Sequence, residues 1–211
     1  MPNRREVVIA ALAGGAVVAA PGLLRAAAAS APAASVPADL RVAAVPYRTV
    51  IDERFAAARA LGAEARARGW EVSAIQGDVT QLWYADLALR WHSGPAPIAG
   101  LTTASALFCL ERLAWDAGMR LNLRIDHRGH RDGRVEHGLA AQPGLLARAE
   151  LAGLARADFT AALPPLLARA THAPRGRPEE RTLAGAAAAR ALVQDEWLVS
   201  WTIGTRPRAA A

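Results

Sequence analysis

The period of the apolar positions changes several times along the chain. Met119, Leu121, Leu123 and Ile125 alternate with Arg120, Asn122, Arg124 and Asp126, which is the period of a strand with one buried face. Central parallel strands are apolar on both faces, so this strand is expected near a sheet edge. Earlier, Phe55, Ala58 and Leu61 recur at helical spacing within residues 53 to 68, and Gly69 stops the helix. Further helices are expected over 79 to 91, 104 to 117 and about 179 to 193, with Leu- and Ala-rich helical stretches after Pro143 broken by Pro164-Pro165. Strands are expected at Tyr47–Ile51, Trp70–Ile75, Pro97–Gly100 and Trp197–Ile203. Asp132-Gly133 is a hairpin signal, with a returning strand over Arg134–Leu139.

Strand and helix alternate through the first half, so two successive β-α-β units are expected, their helices covering a parallel sheet. The fold class expected is α/β: a single three-layer domain over residues 41–205 with a mostly parallel open sheet, Rossmann-like or flavodoxin-like, and an antiparallel hairpin or edge strand. Residues 32–40 read as a linker and 206–211 as a frayed tail.

Residues 1–31 follow a different pattern. Arg4-Arg5 precede a mildly apolar run from Val7 to Leu24, followed by Arg25 and an alanine tract; a charged start, an apolar middle and small residues at a cleavage point are the parts of a secretory signal. With its paired arginines the segment resembles a bacterial twin-arginine signal peptide, departing from that pattern at Asn3, Val7 and Ile9. The resemblance implies export in the folded state through the twin-arginine machinery, by way of Arg4 and Arg5, to the periplasm or beyond. No later run is long and apolar enough to span a bilayer, so no stable membrane insertion of the mature chain is expected.

All 25 basic residues are arginine, and the formal charge of +6 falls to about +4 once the signal is removed. The arginines are interleaved with acids, which excludes nucleic acid as an expected partner. Absence of lysine removes Schiff-base and Walker-type phosphate chemistry. Cys109 is the one cysteine, so no internal disulfide forms, and its apolar neighbours place it in the core.

In an open parallel sheet, ligands bind beyond the carboxyl ends of the strands. On this reading Arg54, Gly77, Thr102, Thr103 and Ser105 are ligand-binding, the helix start at Thr102-Thr103 suiting a small anionic ligand. Asp52 and Asp78 are the candidate acid-base residues, and Asp78, Thr102 and Thr103 are equally good helix caps.

The segment from Asp126 to His137 holds three of the five histidines, a density that suggests a metal site. A two-residue turn at Asp132-Gly133 sets Arg128 opposite His137, puts His130 and His137 diagonally on one face and sends His127 through the other. That register supplies no third ligand, and it leaves Val135 and Leu139 on the polar face; a bulge or longer loop changes it. Trp83 and Trp91 share a helix face, and Trp197 and Trp201 a strand face, as core or partner surface.

Three functions follow. The first is an exported ligand-binding or accessory protein, with a protein partner in an exported redox system. The second is a small enzyme of acid-base chemistry on an anionic or hydroxylated molecule. The third is a His-hairpin metal-binding protein. No cofactor fingerprint follows the first strand.

Overall fold

A computed structural model describes residues 45–142, 144–145, 148–156, 158–173, 176–187, 192 and 196–205, with the side chains of 148–150 and 187 outside the description. The signal segment, the linker, residues 41–44 and the tail from 206 lie outside the described residues.

Seven strands form one mixed sheet: β1 (Arg48–Asp52), β2 (Val72–Ile75), β3 (Ile98–Thr102), β4 (Arg120–Gly129), β5 (Arg134–Ala141), β6 (Glu179–Ala187) and β7 (Trp197–Gly204), in the order β2-β1-β3-β7-β4-β5-β6. The first three are parallel. The other four pairings are antiparallel. The fold is α/β as expected, but the mostly parallel sheet is not. Two features account for the difference.

The first is that the last strand is a central one. β7 runs antiparallel between β3 and β4, and every residue from Leu198 to Gly204 is buried. A strand buried on both faces needs apolar or small polar residues on both. Leu198-Val199-Ser200-Trp201-Thr202-Ile203 meets that need, with Trp201 donating Nε1–H to Thr102 Oγ1 at 3.0 Å and Thr202 donating to the Leu167 carbonyl at 3.1 Å.

The second is that Glu179–Ala187 is a strand and not the expected helix, paired antiparallel with β5. Alanine favours helix only weakly against tertiary pairing. Gly185 disfavours a helix and suits the strand, where a Cβ at this position would stand 2.7 Å from His137 Nε2.

Helices α1 (Ala56–Ala67), α5 (Arg148–Leu154) and α6 (Leu163–Arg169) pack on one face of the sheet. There Ile51, Leu101, Leu123, Ile125, Val135 and Leu139 meet Leu61, Leu154, Phe159 and Leu167. On the other face, Val50, Ile98, Val199, Trp201 and Ile203 meet Leu87, α3 (Ala88–His92) through Trp91, and α4 (Ala104–Asp116) through Leu107 and Leu110. This second core contains no residue of β5 or β6. Among the described residues no apolar core covers this face of β5 and β6, and Arg124 and Asp126 of the interior strand β4 lie half-buried on it.

Before α3, α2 (Thr80–Leu82) leads into a π-helical turn, Trp83–Leu87. A π-turn adds one residue to the helix, so an eight-residue spacing behaves like seven, or two turns. Trp83 and Trp91 accordingly meet edge to face at 5.8 Å. Asp86 within the turn accepts from Tyr47 Oη at 2.6 Å and Arg48 Nε at 2.7 Å. Burial works to raise the Asp86 pKa, but these two hydrogen bonds with the Arg48 and Arg90 charges outweigh it and leave it lowered.

Candidate functional site

The residues expected at the carboxyl ends of the parallel strands fall into separate small sets. Asp52 is fully buried, and Arg54 grips it side-on, Nε to Oδ1 at 2.9 Å and Nη2 to Oδ2 at 2.7 Å. Gly77, at φ 87°, lies against that guanidinium, where a Cβ would come within 2.5 Å of Nη2. Thr102 is buried and committed to Trp201, while Thr103 caps α4 by accepting the Ala106 N–H and lies 3.1 Å from Ser105 Oγ. Asp78 accepts the Thr80 N–H at 2.8 Å, and its hydrogen bonds from Thr80 lower its pKa. The structure thus joins Asp52, Arg54 and Gly77 in one cluster and Thr103 with Ser105 in another. No hydrogen bond among the described residues links the two. Asp52 is paired with Arg54 and Asp78 is engaged with the Thr80 N–H, so each has an occupation in the fold.

Cys109 is exposed, contrary to the expected core position. α4 buries Ala106, Leu107, Leu110 and Ala114, a stripe that leaves Phe108 and Cys109 outside.

The histidine hairpin differs most from expectation. His130 N donates to the Arg134 carbonyl at 2.9 Å, and Gly133 takes φ 78°, so the loop has three residues with a glycine in the left-handed position. Lengthening the loop by one shifts the register by one and turns every returning side chain to the opposite face. Val135 and Leu139 move into the core, and His127 comes opposite His137 on the same buried face.

There the two imidazoles meet Nδ1 to Nδ1 at 2.7 Å, and His127 Nε2 lies 2.7 Å from Ser200 Oγ on β7. Phe159 stacks on His127 with ring centroids 4.6 Å apart. All three polar residues are at 0% exposure. Nδ1 atoms this close share one proton, so one ring donates and the other accepts. If His127 donates, its Nε2 accepts the Ser200 hydroxyl, and neutral His137 carries its proton on Nε2. That nitrogen makes no hydrogen bond; the Leu154 backbone works to raise the His137 pKa, and burial outweighs it. The resulting chain, Ser200 to His127 to His137, is the order of a nucleophile, its base and an orienting group. Full burial closes Ser200 to any substrate, so the chain acts inside the fold. A shared metal needs a third ligand, and no group of three or more His, Cys, Asp or Glu able to hold one occurs among the described residues.

The other face of β4, β5 and β6 carries a different feature. The registers align Arg124, Ala140 and Glu180 in one row across β4, β5 and β6, and Asp126, Gly138 and Thr182 in the next. The central strand contributes only small residues between polar walls, and the result is an open trough of about 440 Å³. Arg124 holds Asp126 through two hydrogen bonds, 2.8 and 2.7 Å, and Trp197 Nε1 donates to the same carboxylate at 2.9 Å. Burial works to raise the Asp126 pKa, but these hydrogen bonds with the Arg124 and Arg128 charges outweigh it and leave it lowered. The sequence pattern alone did not mark these residues as a site. The signal for them is Gly138 and Ala140 falling in phase on one face of a strand whose opposite face carries Val135, His137, Leu139 and Ala141.

Neither a protein-family model, nor a curated protein, nor a solved structure matches this chain.

Burial lowers the pKa of His137 to about 4 and that of His127 well below its ordinary value, the His137 charge adding to the effect on His127. In the unfolded chain both rings take protons near pH ~6.5. Between about 6.5 and about 4 the unfolded state therefore binds more protons, so stability is full above that window and falls as pH drops through it. The His137 shift alone corresponds to about 3 kcal/mol. Urea unfolding across this pH range should show the loss. In the triple variant His127→Leu/His137→Leu/Ser200→Ala the acid slope should flatten, with stability at neutral pH changed by no more than ~1–2 kcal/mol. His127→Ala alone should cost about 2–4 kcal/mol. An unchanged acid slope in the triple variant would contradict the assignment.

Proposed function

We propose that this chain is an exported ligand-binding protein whose site is the trough over β4, β5 and β6. The observation that carries the reading is Gly138. Gly100, Gly185 and Gly204 also stand within strands, and each is required by close packing. A Cβ at Gly100 would strike the Val50 carbonyl and come within 2.8 Å of Trp201; one at Gly185 would meet His137 and the Val135 carbonyl; one at Gly204 would strike the Thr171 carbonyl. At Gly138 the nearest atom to such a Cβ is Asp126 Cβ at 3.9 Å. The fold tolerates a side chain there, and glycine weakens a strand by roughly 0.5–1 kcal/mol. Glycine in the floor of an open trough suits close approach by a ligand. The volume lies in the range of small-molecule sites, roughly 300–1,000 Å³. One prearranged polar wall, Arg124 and Asp126 held by Trp197, faces Glu180 and Thr182 across the floor, an arrangement that suits a small polar ligand.

Export is supported by Arg4-Arg5, the mild apolar run and the small residues that follow. None of the helices among the described residues is long and apolar enough to cross a membrane. Replacing Arg4 and Arg5 together by lysine should leave the protein in the cytoplasmic fraction of a bacterial host that otherwise exports it; unchanged export would rule out the twin-arginine route.

The binding reading is tested by Gly138→Leu in the full chain. The variant should fold with a melting temperature equal to or above that of the parent, while losing thermal stabilisation by small polar compounds that stabilise the parent. Equal stabilisation of both proteins, or none of the parent across a broad set of amino acids, polyols and organic acids, would contradict a site in the trough.

A further inference from the structure

We propose that the ligand of the trough is a small zwitterion, bound with its anionic end at Arg124 and its cationic end at Glu180. The inference rests on the reading of the trough as a ligand site, and it follows from how the two walls are finished.

Arg124 and Glu180 face each other across Ala140, two strand spacings apart, or about 10 Å between backbones. Arg124 uses Nε and Nη2 on Asp126 and makes no hydrogen bond through Nη1 among the described residues. A guanidinium held side-on by one carboxylate still presents its end-on edge, which matches a second carboxylate or a phosphate. It is also fixed in advance: Trp197 orients Asp126, and Asp126 orients Arg124. Preorganisation of this kind reduces the ordering a ligand must impose. Glu180 is exposed and, among the described residues, forms no ion pair, so its carboxylate is available to a cation.

The floor between them, Ala140 and Gly138, offers no polar side chain. The middle of the ligand is therefore a short apolar link. Arg181 also lines the trough but is paired with Glu179 at 3.5 Å; a doubly anionic compound would meet Glu180 and Asp126 with like charge, and a doubly cationic one would meet Arg124. A compound with one charge of each sign satisfies both walls, and its length is set by their separation.

The test is calorimetric titration of the full chain with an ω-amino acid series running from glycine through γ-aminobutyrate and δ-aminovalerate to ε-aminocaproate, compared with valerate and amylamine. The expected result is an affinity maximum within the longer members, at least about tenfold above valerate or amylamine, since each charged hydrogen bond contributes on the order of one power of ten. Glu180→Gln should reduce the best member to the affinity of valerate, and Arg124→Met to that of amylamine. Gly138→Leu should remove all binding. Should valerate bind as tightly as δ-aminovalerate and be lost in Gly138→Leu, the trough stands and the zwitterion is wrong. Binding that survives Gly138→Leu overturns both, and absence of saturable binding by every member overturns the zwitterion.

Discussion

Across β4 and β5 the imidazoles of His127 and His137 meet through Nδ1 at 2.7 Å, with Phe159 stacked over one ring and Gly185 against the other. That pairing fixes the phase of two strands whose side chains alternate between the core face and the trough face. In this phase Leu123, Ile125, Val135 and Leu139 enter the core together, and Arg124, Asp126, Gly138 and Ala140 stand together on the other side. A shift of one residue would drive charged groups into the core and break up the trough. The buried polar chain and the candidate ligand site are thus two faces of one register.

A histidine pair is a costly way to fill a core, because neutral imidazoles still carry polar nitrogens that want partners. Here most of that need is met: three of the four ring nitrogens lie in hydrogen bonds, two between the rings and one to Ser200. The remaining nitrogen, His137 Nε2, faces Gly185 without a hydrogen bond. Buried polar contacts tolerate fewer alternative pairings than apolar ones, and a histidine facing a histidine accepts only the register that brings the two together. The central strand β7 adds Ser200 to the chain on one face and Trp201 to the opposite core on the other. It ties the parallel and antiparallel halves of the sheet into one body.

Much of the fold was legible in the sequence where one face alone is buried. α1 carries one buried stripe, and β4 alternates as expected from Leu123 onward, but a bulge between Leu121 and Leu123 sends Met119 and Leu121 to the opposite core and buries Asn122. The parts that were not legible share a cause. β7 reads as a short apolar run whether it lies at the centre or the edge of a sheet, and only its partners on both sides decide. The alanine-rich stretch at β6 has helical propensity that pairing with β5 overrides. The alternation of β4 reports a face that no apolar core covers among the described residues, which from one strand alone is indistinguishable from an edge. The hairpin is the most informative difference. A two-residue turn at Asp132-Gly133 puts Val135 and Leu139 on the wrong face, and that conflict is itself a signal of a longer loop. One more loop residue resolves it and brings His127 opposite His137. Ser200 carries no local signal, since its role comes from a strand 73 residues away in the chain. The residues expected at the carboxyl ends of β1, β2 and β3 do lie there, yet Asp52, Asp78 and Thr103 are engaged in holding the fold together.

The β4–β5 register is tested most directly by imidazole ¹⁵N NMR of the folded protein, looking for scalar coupling across the hydrogen bond between the Nδ1 atoms of His127 and His137. The account predicts a resolved coupling between these two nitrogens above pH ~6.5, where the rings are neutral. Its absence, with independently titrating Nδ1 atoms near the ordinary histidine value, would contradict the register and the arrangement of both faces with it.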